Sequence, residues 1–186
     1  MEIFDYLVTG SLLMIVAAIF YLPIYFILRK KKIPILKQLS WALLGGIIFV
    51  ILVATILLDV IAGGLTFNPP IHHLNLVPFS WLFETWAMGP LKMISQVIGN
   101  ILMFIPLGFL LPIVFKRFTS FKKTFQFIWL FSFFIEFTQY FIGRSADIDD
   151  LILNTLGGVI GFMTYEIIVR LFFTKHEFES KAFEMK

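Results

Sequence analysis

Five stretches of the chain are apolar over about the length that crosses a bilayer, and most of its charge lies between or beyond them. A membrane helix needs about 20 mostly apolar residues, and runs at roughly 6–28, 39–62, 93–115, 124–142 and 151–173 satisfy this. The pattern predicts an all-α integral membrane protein, a bundle of about five transmembrane helices forming a single domain over residues 1–186. The connection at 63–92 is long and interrupted by paired glycines and prolines, which exclude a continuous helix. Its Leu76, Val77, Phe79, Trp81, Leu82, Phe83 and Trp86 are nevertheless too apolar for a solvated loop. It is expected to lie at the interface or re-enter the bilayer, either as an aromatic anchor or as a lid.

Basic residues orient the bundle. Arg29, Lys30, Lys31, Lys32 and Lys37 follow the first run, and Lys116, Arg117, Lys122 and Lys123 follow the third. Arg170, Lys175, Lys181 and Lys186 cluster towards the other end. With the N-terminus outside and the C-terminus cytoplasmic, thirteen of the fifteen Lys and Arg residues fall inside, leaving only Lys92 and Arg144 outside. An excess of basic residues marks the cytoplasmic side. The first residues carry Glu2 and Asp5 where a secretory signal would be positive, so the first run is expected to be retained.

With that orientation the polar residues that have no topological role converge on the outer side. The stretch 136–161, EFTQYFIGRSADIDDLILNTLGGVIG, gathers Glu136, Gln139, Arg144, Asp147, Asp149, Asp150 and Asn154. Asn100 lies about two turns into the third run from the same side, and Asp59 ends the second. Charged or amide side chains near a bilayer are costly unless they face protein or water, which makes the cluster a candidate site. Glu136 and Gln139 share a helical face, as do Asp150, Asn154 and Gly158. Arg144 is the natural partner of Glu136, either in a structural ion pair or in a pocket that binds an anionic group such as a lipid phosphate. Asp147 or Asp150 also suits the positive end of the fifth helix. Glu166 and Arg170, four apart, are expected to pair.

Other polar and small residues have simpler readings. Pro106, Gly108 and Pro112 predict a bend in the third helix, either a plain kink or one opening a cavity beside Asn100. Gly157 and Gly161 form a GxxxG packing seam, and Ala42 with Gly46 a weaker one. His72 and His73 are adjacent, a poor spacing for zinc. The carboxylates offer hard oxygens without a defined loop motif, so neither a metal nor a cofactor is expected.

Composition agrees with the pattern. The 186 residues are 59% hydrophobic and 15% charged, with mean hydropathy +0.92, against about half and about a quarter in soluble domains. The sequence has no cysteine, so disulfides and thiolate sites are excluded. The basic pI near 9.2 arises from residues placed between apolar runs, which gives no basis for a nucleic-acid partner. No internal repeat of the kind found in many carriers is evident.

Several of these segments together resemble the VanZ-like family of small bacterial membrane proteins. The matching pieces are NLVPF at Asn75–Phe79 and GNILMFIPLGFLLP at Gly99–Pro112. Glu136-x-x-Gln139 follows, then Gly143-Arg144 and DIDDLILNTLGGVIG to Gly161. The core of the resemblance is 75–161, with NxxxFxPxG and ExxQ as its signature parts. It implies a multi-pass protein of the bacterial cytoplasmic membrane and, for the best-known member, reduced susceptibility to teicoplanin without remodelling of the peptidoglycan precursor. It supplies no established reaction. The ligand-binding residues expected are Asn75, Asn100, Glu136, Gln139, Arg144, Asp147, Asp150 and Asn154, with Pro106, Gly108, Gly157 and Gly161 for packing or bending. Expected partners are membrane lipids, a lipid-linked cell-wall precursor or a lipoglycopeptide. The alternatives are an enzyme acting on a lipid headgroup, with Glu136 and Asp147 or Asp150 as acid and base, or a structural, partner-binding subunit.

Overall fold

The structure is a computed structural model that describes residue 25 and residues 34–57, 60–61, 74–79 and 90–184, with side chains described at 97–171 of the last segment. Apart from residue 25 the first apolar run, with Asp59, His72, His73 and most of the 63–92 connection, lies outside the described residues. The chain divides into two compact units, Met1–Leu43 and Leu44–Lys186. In the first, Pro34 starts helix α1 (Ile35–Leu52), its carbonyl accepting the Lys37 and Gln38 amides. The Lys37 ammonium there lies 5.5 Å from the Trp41 ring centre.

The second unit holds the site. Helix α1 continues into a π-helical turn at Val53–Leu57. Strand β1 (Leu74–Asn75) precedes helix α2 (Pro90–Val114), a 3₁₀ turn at Lys116–Thr119 and helix α3 (Phe121–Phe141). Strand β2 (Ala146–Asp147) then leads directly into the 37-residue helix α4 (Ile148–Glu184). Among the described residues the architecture is helical apart from one two-residue parallel ladder, in which Leu74 pairs with Ala146 and Asn75 with Asp147. Among the described residues three stretches are long and apolar enough to cross a membrane: Ile35–Leu57, Val97–Val114 and Ile148–Leu171. Helix α3 is long enough too, but Gln126, Ser132, Glu136, Thr138 and Gln139 lower its hydropathy, and it is not among them.

Helix α2 runs unbroken through Pro106 and Pro112. Its main neighbour is α4, and the contact between them is made by backbone. A Cβ on Gly108 would fall on the Gly158 carbonyl, one on Gly157 on the Ile101 carbonyl, and one on Gly161 on the Ile105 carbonyl. Small residues allow this kind of approach. Gly108 therefore belongs to the same seam as Gly157 and Gly161. Around it, Leu44, Ile51, Phe104, Leu107, Leu111, Phe118, Ile128 and Ile135 form the core. At Gly46 a Cβ would meet nothing within 4 Å among the described residues, so the seam expected at Ala42 and Gly46 has no partner among them.

Helix α3 is fixed at both ends. The Thr124 hydroxyl donates to the Phe118 carbonyl at 2.5 Å, tying its first turn to the 3₁₀ turn. Its last turn closes with Gly143 at φ 84°, the Gly143 amide donating to Tyr140 O and the Arg144 amide to Gln139 O at 2.9 Å. This paired arrangement terminates a helix at a left-handed residue, for which glycine has no Cβ penalty. Along its outer face Phe121, Phe125, Trp129, Phe133, Phe137 and Phe141 recur every four residues, each 38–50% exposed. Such a row is a ridge inclined to the helix axis. The expected Glu166–Arg170 pair forms at 3.5 Å on the exposed surface of α4, where such pairs contribute little.

The seam generates a test. Gly157→Ala or Gly161→Ala places a methyl group against backbone that cannot rotate away. Each is expected to destabilise the protein by about 1–3 kcal/mol, despite the helix propensity alanine gains over glycine. Gly99→Ala, where a Cβ meets nothing within 4 Å among the described residues, is expected to stabilise by about 0.5–1 kcal/mol. Thermal unfolding of the detergent-solubilised variants measures both, and similar midpoints for the two kinds of substitution would refute the seam.

Candidate functional site

The site is built where α3 ends, α4 begins and β1 crosses beside them. Asp147 is its junction. Its Oδ1 accepts the Asp149 amide at 2.8 Å, capping the first turn of α4. Its Oδ2 accepts from Asn75 Nδ2 at 3.2 Å, which adds a side-chain bond to the Asn75–Asp147 ladder pair. Its own amide donates to Glu136 Oε2 at 2.9 Å. One residue thus joins the strand pair, α3 and α4.

Two further carboxylates extend the network. Asp149, 3% exposed, accepts the Phe79 amide on Oδ1 at 2.6 Å. Phe79 has φ 65°, a left-handed conformation that is unfavourable for a bulky residue. Asn75 Oδ1 accepts the Val77 amide at 3.2 Å, so the turn at 75–79 is held at both ends by the site's own acceptors. Asp150 Oδ1 accepts from Asn100 Nδ2 at 2.5 Å, linking α4 to α2. Asp147, Asp150 and Arg144 all act electrostatically on Glu136.

A cavity of about 320 Å³ opens beside this network. Its walls are Phe133, Phe137, Tyr140 and Phe141 of α3, with Leu74, Leu76, Ala146, Ile148 and Leu151 opposite. Glu136 and Asp147 supply its polar lining. Glu136 is 6% exposed, and no hydrogen bond from the described residues reaches its Oε1. No described α2 side chain lines this cavity, and Asn100 is not among its walls.

The expected site residues separate into three groups. Asn75, Glu136 and Asp147 form one hydrogen-bonded set at the cavity, and Asn100 with Asp150 forms a second set beside it. Arg144 is exposed on the link between α3 and β2, and its charge reaches both Glu136 and Asp150. Gln139 and Asn154 point elsewhere. Gln139 Nε2 donates to the Thr55 carbonyl in the π-helical turn at 2.9 Å, and Asn154 Nδ2 donates to Ser132 Oγ at 3.0 Å in the buried α3–α4 contact. The carbonyl oxygens of both amides are buried and meet no hydrogen-bond donor among the described residues.

Sequence reasoning left Asp149 and Ser132 out of the expected set. Asp149 was hidden among three acidic residues, and Ser132 inside an aromatic run. The every-fourth-residue spacing of the aromatics was legible and marks one wall of the cavity. Among the described residues no three of His, Asp and Glu are grouped to hold a metal ion.

A helical protein with apolar spans and a carboxylate–amide junction at one end of its helices is the class these features define. The sequence model of the VanZ/LLP1 family matches residues 40–170, and the chain belongs to that family. It is 36% identical over 100 residues to Protein VanZ of Enterococcus faecium, across 53% of this chain and 56% of that protein. The match therefore spans about half the length of the curated relative. No solved structure matches the chain.

The Asp149–Phe79 bond generates the second test. Asp149→Ala is expected to release the 75–79 turn, so that hydrogen exchange at the Phe79 amide accelerates at least tenfold while the middle of α3 keeps its protection. Unchanged exchange at Phe79 would show that the turn is held by something other than Asp149.

Proposed function

We propose that this is a multi-pass protein of the bacterial cytoplasmic membrane whose site opens on the cell-wall side. It has five spans, with the N-terminus outside and the C-terminus cytoplasmic. In this reading the site engages an anionic lipid, a lipid-linked cell-wall precursor or a lipoglycopeptide. The protein thereby acts in teicoplanin resistance or in envelope physiology.

The observation that carries this reading is a nearly buried carboxylate, Glu136, lining an apolar cavity of about 320 Å³. That volume lies at the lower end of the range for small-molecule sites, about 300–1,000 Å³. Arg144, exposed on the adjoining link, takes the anionic group. Asn75, Glu136 and Asp147 shape the pocket, Asn100 and Asp150 brace it from the side, and Gln139 and Asn154 hold α3 in place behind it. Asp147 commits both carboxylate oxygens to N–H donors of its own chain. Such a group is better placed to hold a shape than to move a proton, which supports binding over the acid–base alternative. The placement of thirteen of fifteen basic residues on one side of the five apolar runs supports the orientation.

Two measurements test the reading. Because the native sequence lacks cysteine, Ser145→Cys and Thr119→Cys report sidedness directly. An impermeant maleimide added to intact cells is expected to label the first and not the second, and the reverse would invert the bundle. Teicoplanin and vancomycin susceptibilities are then compared in a susceptible Gram-positive host at matched membrane levels. The wild type is expected to raise the teicoplanin inhibitory concentration at least fourfold with vancomycin unchanged, and Glu136→Gln and Arg144→Ala to abolish the rise. A rise that persists in both variants would remove the pocket from the function. No rise with well-expressed wild type would remove the resistance role.

A further inference from the structure

The cavity beside Glu136 has a charge signature that narrows the chemistry of its occupant. The described charged groups acting on Glu136 are Asp147, Asp150 and Arg144, so three carboxylates share one guanidinium. Glu136 is 6% exposed and lines the cavity, and its Oε2 takes the Asp147 amide. Its Oε1 receives no hydrogen bond from the described residues. A carboxyl oxygen of a nearly buried residue, open to the cavity in a site where the described acidic groups outnumber the basic ones, is complementary to a cation. The aromatic rings of Phe133, Phe137, Tyr140 and Phe141 around it favour an organic ammonium, whose charge is attracted by ring faces. The remaining wall is aliphatic, through Leu74, Leu76, Ile148 and Leu151, and suits a hydrocarbon chain.

Resting on the reading that this cavity binds an envelope amphiphile, we infer that its occupant is a membrane phospholipid with a primary ammonium headgroup, of the ethanolamine or aminoacyl type. The ammonium donates to Glu136 Oε1, and an acyl chain follows the aromatic wall of α3. The lipid phosphate remains free to meet Arg144, so one headgroup answers both signs of charge in the site.

The test uses the full chain in phosphatidylcholine nanodiscs doped with photoreactive phosphatidylethanolamine or phosphatidylglycerol, each with the same diazirine-bearing acyl chain. Mass spectrometry of the crosslinked protein locates the adducts. The ethanolamine lipid is expected to label Phe133, Phe137, Tyr140 or Leu151 at least threefold more than the glycerol lipid. Glu136→Gln is expected to remove that preference, and Ala146→Phe, which fills the cavity, to reduce labelling by both lipids. Circular dichroism and gel filtration establish that each variant is folded. Should Glu136→Gln fail that check, the wild-type ratio of the two lipids decides alone. Equal labelling by the two lipids in the wild type, or a preference that survives Glu136→Gln, overturns the inference. Stronger labelling by the glycerol lipid, lowered by Arg144→Gln, also overturns it while leaving the binding pocket intact. Labelling of the cavity no greater than that of outward residues such as Leu102 and Leu156 overturns both.

Discussion

The Asp147 carboxylate and amide together decide how the second unit is assembled. Three hydrogen bonds leave this one residue for three elements: the capped turn of α4, Asn75 on the neighbouring strand, and Glu136 on α3. The two-residue ladder beside it is too short to persist unaided, since isolated strand pairs are marginal in water. It exists because the same residues that form the ladder are also bonded through their side chains. The tight end of α3 at Gly143 leaves only Arg144 and Ser145 before the strand, which brings the Asp147 amide back to Glu136, eleven residues away.

Below that junction the helices meet with almost no side chain between them. Gly108, Gly157 and Gly161 bring the backbones of α2 and α4 into direct contact, and without the hydrophobic effect to drive helices together in lipid, such close packing is a main source of association. The junction and the seam support each other. Asn100 and Asp150 can share a hydrogen bond because the seam sets the distance between their helices. In turn Asp150 meets its amide partner within the protein and faces no apolar surroundings alone.

Much of this could be read from residues alone, and the limits have physical causes. Helices α1 to α4 correspond to the last four apolar runs, because a run long enough to span a bilayer has few other stable forms. The convergence of Glu136, Asp147, Asn100 and Asp150 followed from placing each near the same end of the bundle, whereas Asn75 entered through the family resemblance alone. Gln139 and Asn154 share that end, but face the π-helical turn and Ser132. Helical phase assigns a residue to a face without saying which neighbour covers it. The partner of Gly108, expected for packing or bending, was illegible for a similar reason. A glycine two residues after a proline reads as part of a bend, while its partner Gly158 is fifty residues away in the chain. The strand pair left no hydrophobic signature, since two residues are too few to show a period.

The glycine seam has a consequence for how the protein can respond to an occupant. Backbone packed on backbone has no side-chain rotamers to adjust, so α2 and α4 behave as one rigid gauge with a single permitted register. A slide of one turn would put a side chain where only hydrogen fits. The 75–79 turn is different: it is attached by a few hydrogen bonds, and Phe79 holds a backbone conformation it would not adopt unaided. Adaptation is therefore confined to one edge of the site, with the opposite edge serving as a fixed reference. Variation in what the site accepts is most easily accommodated in that turn, and least easily in the helices that measure it.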